Sequence, residues 1–369
     1  MRFFARLRRA QNDRTRRKVF LNTPRAQGRT RLREERAMAE LPESVTLHYR
    51  RVASLRYGEN PHQEAAVYAS EGTPLSGVFN PVRYHGGGLS YCNLLDASAA
   101  VDCVAEFPEG PCAVVIKHGS PSGYAVAQSP AEAMRAAIEG DPVSAFGGII
   151  GTNFPIDESV ASVITSTLFD VIVAPAFSED AWQRLSTYRK RIHLLDTGRA
   201  PDRAALSFKV ISGALIVQET DVKMPEPGEW KLHGLDTLSL AQVEQVTWGL
   251  RAMRHVRSNT VIITPPDRKM TIGIGSGQTS RVGAARIALA QAGLRAKGAC
   301  LFSDSFFPEP DSVQSAREYG IGLIVQQGGS VRDKVCIAES LAETGELRAA
   351  GATPIPTIIT GRRCFYHGV

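Results

Sequence analysis

Residues 114–123 read Val114-Val115-Ile116-Lys117-His118-Gly119-Ser120-Pro121-Ser122-Gly123, an apolar run that stops at a lysine and a histidine. Valine and isoleucine favour a buried strand, whereas the glycines and the proline that follow predict a turn. The strand is therefore predicted to end at Lys117-His118. Consecutive side chains of a strand point to opposite faces, so these two can face one pocket only if the backbone bends there.

A lysine and a histidine at the carboxyl end of a buried strand are placed as an active-site base and a charge-stabilising cation would be. The alternative is a strand whose last two residues simply reach water, where charged side chains are usually found. The residue types alone leave both interpretations open.

Strand and helix patterns alternate along the rest of the chain, which predicts an α/β fold with mixed layers. Ser330 with Asp333 is predicted to cap a helix over residues 331–342. Further strands are predicted at residues 170–175, 261–263, 270–274, 321–325 and 355–360, and further helix starts at Ser129, Asp157 and Ser239.

The length of 369 residues predicts two or more packed units. Proline and glycine concentrate in residues 219–236, which are the predicted linker between a first unit, residues 38–218, and a second, residues 237–369. The longest apolar runs fall short of the ~18 residues that a membrane helix needs, so we expect a soluble, cytoplasmic protein without membrane contact. The six cysteines form no Cys-x-x-Cys pair, which indicates reduced thiols and neither a disulfide framework nor a zinc site.

Residues 1–37 carry 13 lysines and arginines against three acidic residues, a local charge of +10 in a chain whose total is +6. The remainder is mildly acidic, so the folded part offers no basic patch for a nucleic acid. The segment is predicted to be a disordered basic arm. Three interpretations of this segment stay open: a transit peptide, an interaction arm, or an upstream extension with translation starting at Met38. The last is favoured.

Three polar or glycine-rich loops could bind a ligand. Residues 55–63 concentrate a cation, a phenol, an amide and an imidazole, and residues 86–93 place glycines at a predicted helix start. Residues 273–281 carry glycines at alternate positions, which is not the fingerprint of a dinucleotide-binding turn. We therefore expect no nicotinamide cofactor.

Seven motifs together resemble one family, in order along residues 50–367. The chain is similar to the transformylase portion of the bifunctional purine-biosynthesis enzyme AICAR transformylase/IMP cyclohydrolase, where AICAR is 5-aminoimidazole-4-carboxamide ribonucleotide. The motifs are Arg56-Tyr57-Gly58-x-Asn60-Pro61-His62-Gln63, Lys117-His118-x-x-Pro121-x-Gly123, residues 141–148, Ser258-Asn259, residues 273–281, Ser303-Asp304-x-Phe306-Phe307-Pro308 and residues 328–333.

The resemblance implies formyl transfer from the cosubstrate 10-formyltetrahydrofolate to the 5-amino group of AICAR, with no metal. That amine is a poor nucleophile because its lone pair is drawn into the imidazole ring, so a base must take its proton. His118 matches the family's base, and an imidazole that titrates near neutral pH suits this task. Lys117 matches the cation that stabilises negative charge on the formyl oxygen.

The same residue-by-residue match implies two sets of binding residues. The nucleotide set comprises Arg56, Tyr57, Asn93, Gly147, Asp170, Asn259, Arg281, Phe306 and Arg363, and the folate set comprises Val282, Asp311, Ser312, Ser330 and Val331. His62 and His367 resemble imidazoles near the active site. Arg56 and Arg363 would suit the 5′-phosphate, because a guanidinium fork pairs with phosphate oxygens.

The resemblance also implies two cytidine-deaminase-like α/β subdomains with mixed sheets, and a homodimer with sites at its interface. The family's cyclohydrolase domain is not recognised, so a separate IMP cyclohydrolase is expected in the pathway. Glu309 adds a charge near the folate set. Two alternatives stay open: a catalytically silent AICAR- or folate-binding protein, and an enzyme that uses ATP and free formate, which the lack of a P-loop disfavours.

Overall fold

The structure, a computed structural model, describes residues 41, 43–70, 75–198 and 206–368. The predicted basic arm, residues 1–37, lies outside these residues. Two six-stranded mixed sheets dominate the described part, and helices pack against both. The α/β expectation is therefore confirmed.

The first sheet has the strand order β3-β8-β7-β6-β4-β5. Strands β6, β7 and β8 run parallel, whereas β3, β4 and β5 pair antiparallel to their neighbours. The strands are β3 (Arg83–His85), β4 (Cys112–Lys117), β5 (Ser120–Val126), β6 (Gly148–Thr152), β7 (Phe169–Ala174) and β8 (His193–Asp196). The helices between them are α1 (Tyr91–Val104), α2 (Pro130–Gly140), α3 (Glu158–Ile164) and α4 (Glu179–Tyr188).

The second sheet repeats this topology with the order β11-β16-β15-β14-β12-β13 and the same strand directions. Its strands are β11 (Lys231–His233), β12 (Val261–Thr264), β13 (Gly273–Gly275), β14 (Cys300–Ser303), β15 (Leu323–Gln326) and β16 (Thr357–Ile359). Its helices are α5 (Leu240–Met253), α6 (Arg281–Ala292), α7 (Asp311–Glu318), α8 (Asp333–Ser340) and α9 (Gly345–Ala349). Strand β11 lies inside the predicted linker, so the end of that segment belongs to the second sheet.

Two hairpins stand beside the sheets. One joins β1 (Tyr49–Ser54) to β2 (Ala66–Ser70), and the other joins β9 (Leu206–Ile211) to β10 (Ala214–Glu219). Short 3₁₀ turns cover Gly77–Phe79, Pro227–Glu229 and Gly293–Ala296. None of the helices in the described ranges is long and apolar enough to cross a bilayer.

The structure corrects the prediction for residues 118–123. The chain does not leave the sheet after Lys117, because His118 and Gly119 form a two-residue turn with φ values of 52° and 74° and β5 begins at Ser120. Two positive φ values suit a tight hairpin turn. Pro121 lies within β5 next to a register shift in the pairing with β4, which is a position where a strand tolerates proline.

Helix capping is mostly as the sequence predicts. Ser129 and Ser239 form capping boxes, and the Asp157 carboxylate accepts a hydrogen bond from the Val160 amide. The capping contacts predicted for Ser330 and Asp333 are present, because the Ser330 hydroxyl accepts from the Arg332 amide at 3.0 Å and the Asp333 carboxylate accepts from the amides of residues 329 and 330. The helix itself is shorter than predicted, since α8 spans Asp333–Ser340 instead of residues 331–342. Asp333 thus fixes the loop that precedes its own helix.

The two sheets meet at β5. The Thr271 amide donates to the Tyr124 carbonyl at 2.9 Å, and the Val126 amide donates to the Lys269 carbonyl at 2.8 Å. The Thr271 hydroxyl accepts from the Tyr124 amide at 3.1 Å. Residues 269–271 therefore continue the first sheet toward the second.

Buried charges add a second contact between the units. The Glu106 carboxylate, just after α1, pairs with Arg254 at 2.6 Å and with His255 at 3.0 Å, both just after α5. Burial alone would raise the pKa of Glu106, but the hydrogen bonds and charges of His255 and Arg254 lower it to about 2. Glu106 is therefore ionised in the fold at neutral pH.

Small residues let the backbone of β5 approach helix α2. A Cβ atom added at Gly123 would fall well inside van der Waals contact with the Ala137 carbonyl oxygen, which is backbone and has no rotamer to change. We predict that Gly123→Ala lowers the free energy of unfolding by about 1–3 kcal/mol, the usual range for overpacked cores. Chemical denaturation measures this loss.

Gly228→Ala is the matched control, because a Cβ atom there meets no atom within 4 Å. Its stability should stay within about 0.5 kcal/mol of the parent. Equal stability of the two variants would contradict the proposed close approach.

Candidate active site

A hydrogen bond with helix α1 stabilises the Lys117-His118 turn. The Gly119 amide donates to the Asp96 carboxylate at 2.7 Å. Burial raises the pKa of Asp96, while the Gly119 amide, His118 and Lys117 act in the opposite direction. Both basic side chains therefore lie within electrostatic reach of one carboxylate, and they share surroundings because the turn bends the backbone.

The two side chains of the turn differ in accessibility. Lys117 is half-buried as a residue, and its ammonium donates to the Phe146 carbonyl at 2.8 Å. A Cβ atom at Gly147 would come to 3.3 Å from Lys117 Nζ, so a glycine leaves room there. His118 is exposed. An ammonium has three N–H donors, so Lys117 keeps donors for a ligand.

The second unit touches this turn. The Ser120 and Ser276 hydroxyls are 3.0 Å apart, which places the loop between β13 and α6 beside the Lys117-His118 turn. Gly275, the last residue of β13, is required for packing, since a Cβ atom would collide with the Ala284 carbonyl of α6. The glycines predicted to bind a ligand therefore serve at least in part to bring α6 close to β13.

Arg281 is pinned in a buried network at the start of α6. Its guanidinium pairs with Asp304, and it donates to the Ser303 hydroxyl at 3.0 Å and the Asn259 side-chain oxygen at 2.7 Å. The Asn259 amide nitrogen in turn donates to the Gln278 carbonyl at 2.9 Å. The Asp304 side chain is fully buried, and its carboxylate is compensated by the Arg281 guanidinium and by a hydrogen bond from the Thr260 amide at 3.2 Å.

A cavity of about 520 Å³ opens next to this network. It brings together six residues of the predicted sets: Asn259, Arg281, Val282, Phe306, Asp311 and Arg363. The Arg363 guanidinium lies over the Phe365 ring at 4.5 Å, and both line the cavity. Guanidinium groups beside exposed aromatic rings suit a flat, anionic ligand.

The remaining members of the folate set are more scattered. Ser312 is buried, with its amide donating to the Asp311 carboxylate at 2.7 Å. Ser330 is held by Asp333, and Val331 is fully exposed. These residues do not line the cavity that contains Val282 and Asp311.

Arg56 and Tyr57 form a compact pair in the first unit. The Arg56 guanidinium donates to the Tyr57 hydroxyl at 2.7 Å and lies over its ring at 4.6 Å. Asn93 is in the first turn of α1, where its side-chain oxygen accepts from the Ser90 amide at 3.0 Å. The structure thus gives Asn93 a capping function that the sequence analysis did not predict.

His193 was missed by the sequence analysis, because nothing in β8 distinguishes it from a core residue. Burial, followed by the charge of Arg56, lowers its pKa to about 4, and the nearby Asp170 opposes this shift. His85 and Arg189 lower it further. Arg189, which was also missed, pairs with Asp170 at 2.8 Å. His193 therefore lies amid residues of the predicted nucleotide set.

The two other predicted histidines lie apart. His62 is exposed on the loop after β1. His367 packs edge-to-face on Phe365 at 5.8 Å, next to the cavity wall. Among the described residues no group of three or more histidine, cysteine or acidic side chains could hold a metal ion. The six cysteines are free, and burial raises the pKa of Cys300 and of Cys364 to about 12.

Comparison with known proteins identifies the family. The model of the AICARFT/IMPCHase bienzyme family matches residues 9–291, and the chain belongs to this family. It is 40% identical over 328 residues to the bifunctional purine biosynthesis protein PurH of Rippkaea orientalis, covering 89% of this chain. The PurH proteins of Sorangium cellulosum and Anoxybacillus flavithermus are 41% and 39% identical, over 88% of this chain. The chain spans 61% of the length of each of these relatives.

The lowered pKa of His193 makes stability depend on pH. The unfolded chain takes up a proton at this histidine below about pH 6.5, whereas the folded chain does so only near pH 4, so stability falls as the pH drops through this window. We predict that the free energy of unfolding of His193→Asn falls by about 3 kcal/mol less than that of the parent protein over this pH range. Urea denaturation at several pH values between 7 and 4 measures how the free energy of unfolding depends on pH. His48→Asn, at an exposed histidine, should show the same pH dependence as the parent protein.

The Arg281 network leads to a second prediction. Asp304→Asn leaves a buried guanidinium without its counter-charge, so it should cost about 3–5 kcal/mol of stability. Glu309→Gln breaks the exposed pair with Arg332, 2.9 Å apart, and should cost less than about 1 kcal/mol. If chemical denaturation gives a similar loss of stability for both variants, the burial of the ion pair between Asp304 and Arg281 does not make it more important than an exposed pair.

Proposed function

We propose that the chain transfers a formyl group from 10-formyltetrahydrofolate to the 5-amino group of AICAR in purine biosynthesis. The observation that carries this proposal is the Lys117-His118 turn, which places the exposed His118 next to a half-buried lysine whose ammonium donates to the Phe146 carbonyl. Membership of the AICARFT/IMPCHase family supports it.

The geometry of the turn suits the chemistry of a weakly nucleophilic amine. The exposed His118 imidazole is free to approach the amine of a bound nucleotide and to accept its proton as the new C–N bond forms. The Lys117 ammonium is held in direction by the Phe146 carbonyl and retains N–H donors for the formyl oxygen, which gains negative charge during attack. The folate supplies the formyl group and leaves as tetrahydrofolate.

Binding is assigned to the two clusters described above. Arg56 and Tyr57, with Asp170, are proposed to hold the nucleotide in the first unit. The cavity of the second unit is proposed to hold the remaining parts of the substrates. Its lining includes Arg281, Phe306 and Arg363. The cavity does not include residues of the Lys117-His118 turn. A homodimer that completes the site, a separate IMP cyclohydrolase and a cytoplasmic location stay predictions.

The second candidate function is a catalytically silent protein that binds AICAR or a folate. The lining of the second-unit cavity, which does not include Lys117 or His118, favours it, because catalysis needs both substrates at one place. Calorimetry that shows nucleotide binding, together with no turnover in the transfer assay, would support this alternative.

The test is a formyl-transfer assay that follows tetrahydrofolate absorbance with AICAR and 10-formyltetrahydrofolate. His118→Ala should lower kcat by at least ~10²-fold, the usual contribution of a general base. Lys117→Met should also lower kcat, because transition-state charge then lacks its cation. His48→Ala, at an exposed histidine outside the predicted binding sets, serves as the control for loss of an imidazole.

Two results would contradict the proposal. Loss of less than ~10²-fold in the His118 variant would exclude His118 as the base. Turnover that requires ATP and formate, with the folate omitted, would replace the proposed formyl donor.

A further inference from the structure

A chain of hydrogen bonds links the buried edge of the first sheet to the loop between β3 and α1. His193 Nδ1 on β8 lies 2.6 Å from the Tyr84 hydroxyl on β3, and that hydroxyl also donates to the Gly87 carbonyl. Tyr84 and His193 are 9% and 8% exposed. Neither residue belongs to the predicted binding sets.

The direction of these bonds follows from the atoms involved. A carbonyl oxygen can only accept, so the single phenol proton of Tyr84 goes to the Gly87 carbonyl. The phenol oxygen must then accept from His193, which places the imidazole proton on Nδ1. The series of hydrogen bonds therefore runs from His193 Nδ1–H to the Tyr84 hydroxyl and from that hydroxyl to the Gly87 carbonyl. In the neutral imidazole ring, Nε2 is then unprotonated.

The loop that ends this chain packs directly on the imidazole. Gly86 has a φ of 122°, and a Cβ atom there would come to 2.5 Å from His193 Nδ1. Gly87 and Gly88 are exposed. The phenol of Tyr84 is thus the main side-chain anchor of a glycine segment with high intrinsic freedom.

The same loop supports Arg56 and Tyr57. The Arg56 amide donates to the Leu89 carbonyl at 3.0 Å, and the Tyr91 amide donates to the Tyr57 carbonyl at 3.1 Å. A Cβ atom at Gly88 would lie 3.7 Å from the Cβ atom of Arg56. The loop and the first residue of α1 therefore hold the backbone from which the Arg56 and Tyr57 side chains extend.

We propose that Tyr84 and His193 are positioning residues that hold Arg56 and Tyr57 in place for the nucleotide through the Gly86–Gly88 loop. The inference rests on the proposed function, because it gives Arg56 and Tyr57 a nucleotide to bind. Tyr84 and His193 act through other residues and take no part in the chemical step. Their loss should therefore weaken binding and leave the rate of the bound complex unchanged.

The test compares kinetic constants of four variants. Tyr84→Phe removes the hydroxyl and should raise KM for AICAR by about 3–10-fold, the value of one hydrogen bond, with kcat within about twofold of the parent. Tyr124→Phe is the control: it removes a buried phenol that donates to the Cys103 carbonyl, near the other end of α1, and should leave KM unchanged.

The two His193 variants test whether a hydrogen bond from position 193 to Tyr84 is needed. His193→Asn keeps an N–H donor near the position of Nδ1 and should retain most of the affinity. His193→Leu removes the donor and should resemble Tyr84→Phe. Equal KM values for the two variants would contradict a positioning role for the hydrogen bond between His193 and Tyr84.

Amide hydrogen exchange gives a readout that does not depend on catalysis. The Arg56 and Tyr91 amides should exchange faster in Tyr84→Phe than in the parent, and should be unaffected in Tyr124→Phe. A parent-like KM in Tyr84→Phe, with or without faster exchange, would overturn the proposal.

A parent protein without formyl transfer would refute the proposed function alone. The dissociation constant for AICAR from calorimetry would then replace KM in each comparison. A parent that does not bind AICAR at all would overturn the positioning role as well, because Arg56 and Tyr57 would have no nucleotide to hold.

Discussion

Backbone hydrogen bonds between strand β5 and residues 269–271 join the two sheets, and the arrangement of the site depends on this join. They place the Lys117-His118 turn, at one end of β5, next to the loop that precedes α6. The join needs close packing on both sides, which is why Gly123 and Gly275 each face a backbone carbonyl of a neighbouring helix. Larger side chains would push the helices away and separate the two parts of the site.

Two kinds of charged group occur around the site, and their burial separates them. Arg281 and Asp304 are buried and satisfied by one another and by neighbouring polar groups, so they fix the geometry of the cavity. Lys117 and His118 stay accessible because a tight turn presents them at the end of a hairpin. A buried charge is stable only with its partners, whereas an accessible one is available to a ligand.

The repetition of one sheet topology was expected only through the family resemblance, since the sequence itself shows no repeat. The two sheets have the same strand order and directions, but a topology constrains mainly where apolar residues lie and where turns occur. Unrelated side chains such as Tyr124 and Ile274 can therefore fill equivalent strands. The units also differ in function: the first carries the Lys117-His118 turn, and the second carries the cavity around Arg281.

The sequence by itself determined the α/β class, the buried strand that ends at Lys117, the capped starts of helices such as the one after Ser129, and the family. These features depend on neighbouring residues or on motifs of a few residues. Only the tertiary structure decided that residues 118 and 119 form a turn within one hairpin, that Asp96 supports it, and that His193 and Tyr84 lie behind Arg56. Such contacts join residues up to 109 positions apart in the chain. Local patterns carry no information on them, because their energy comes from burial and hydrogen bonding that exist only once the sheets have formed.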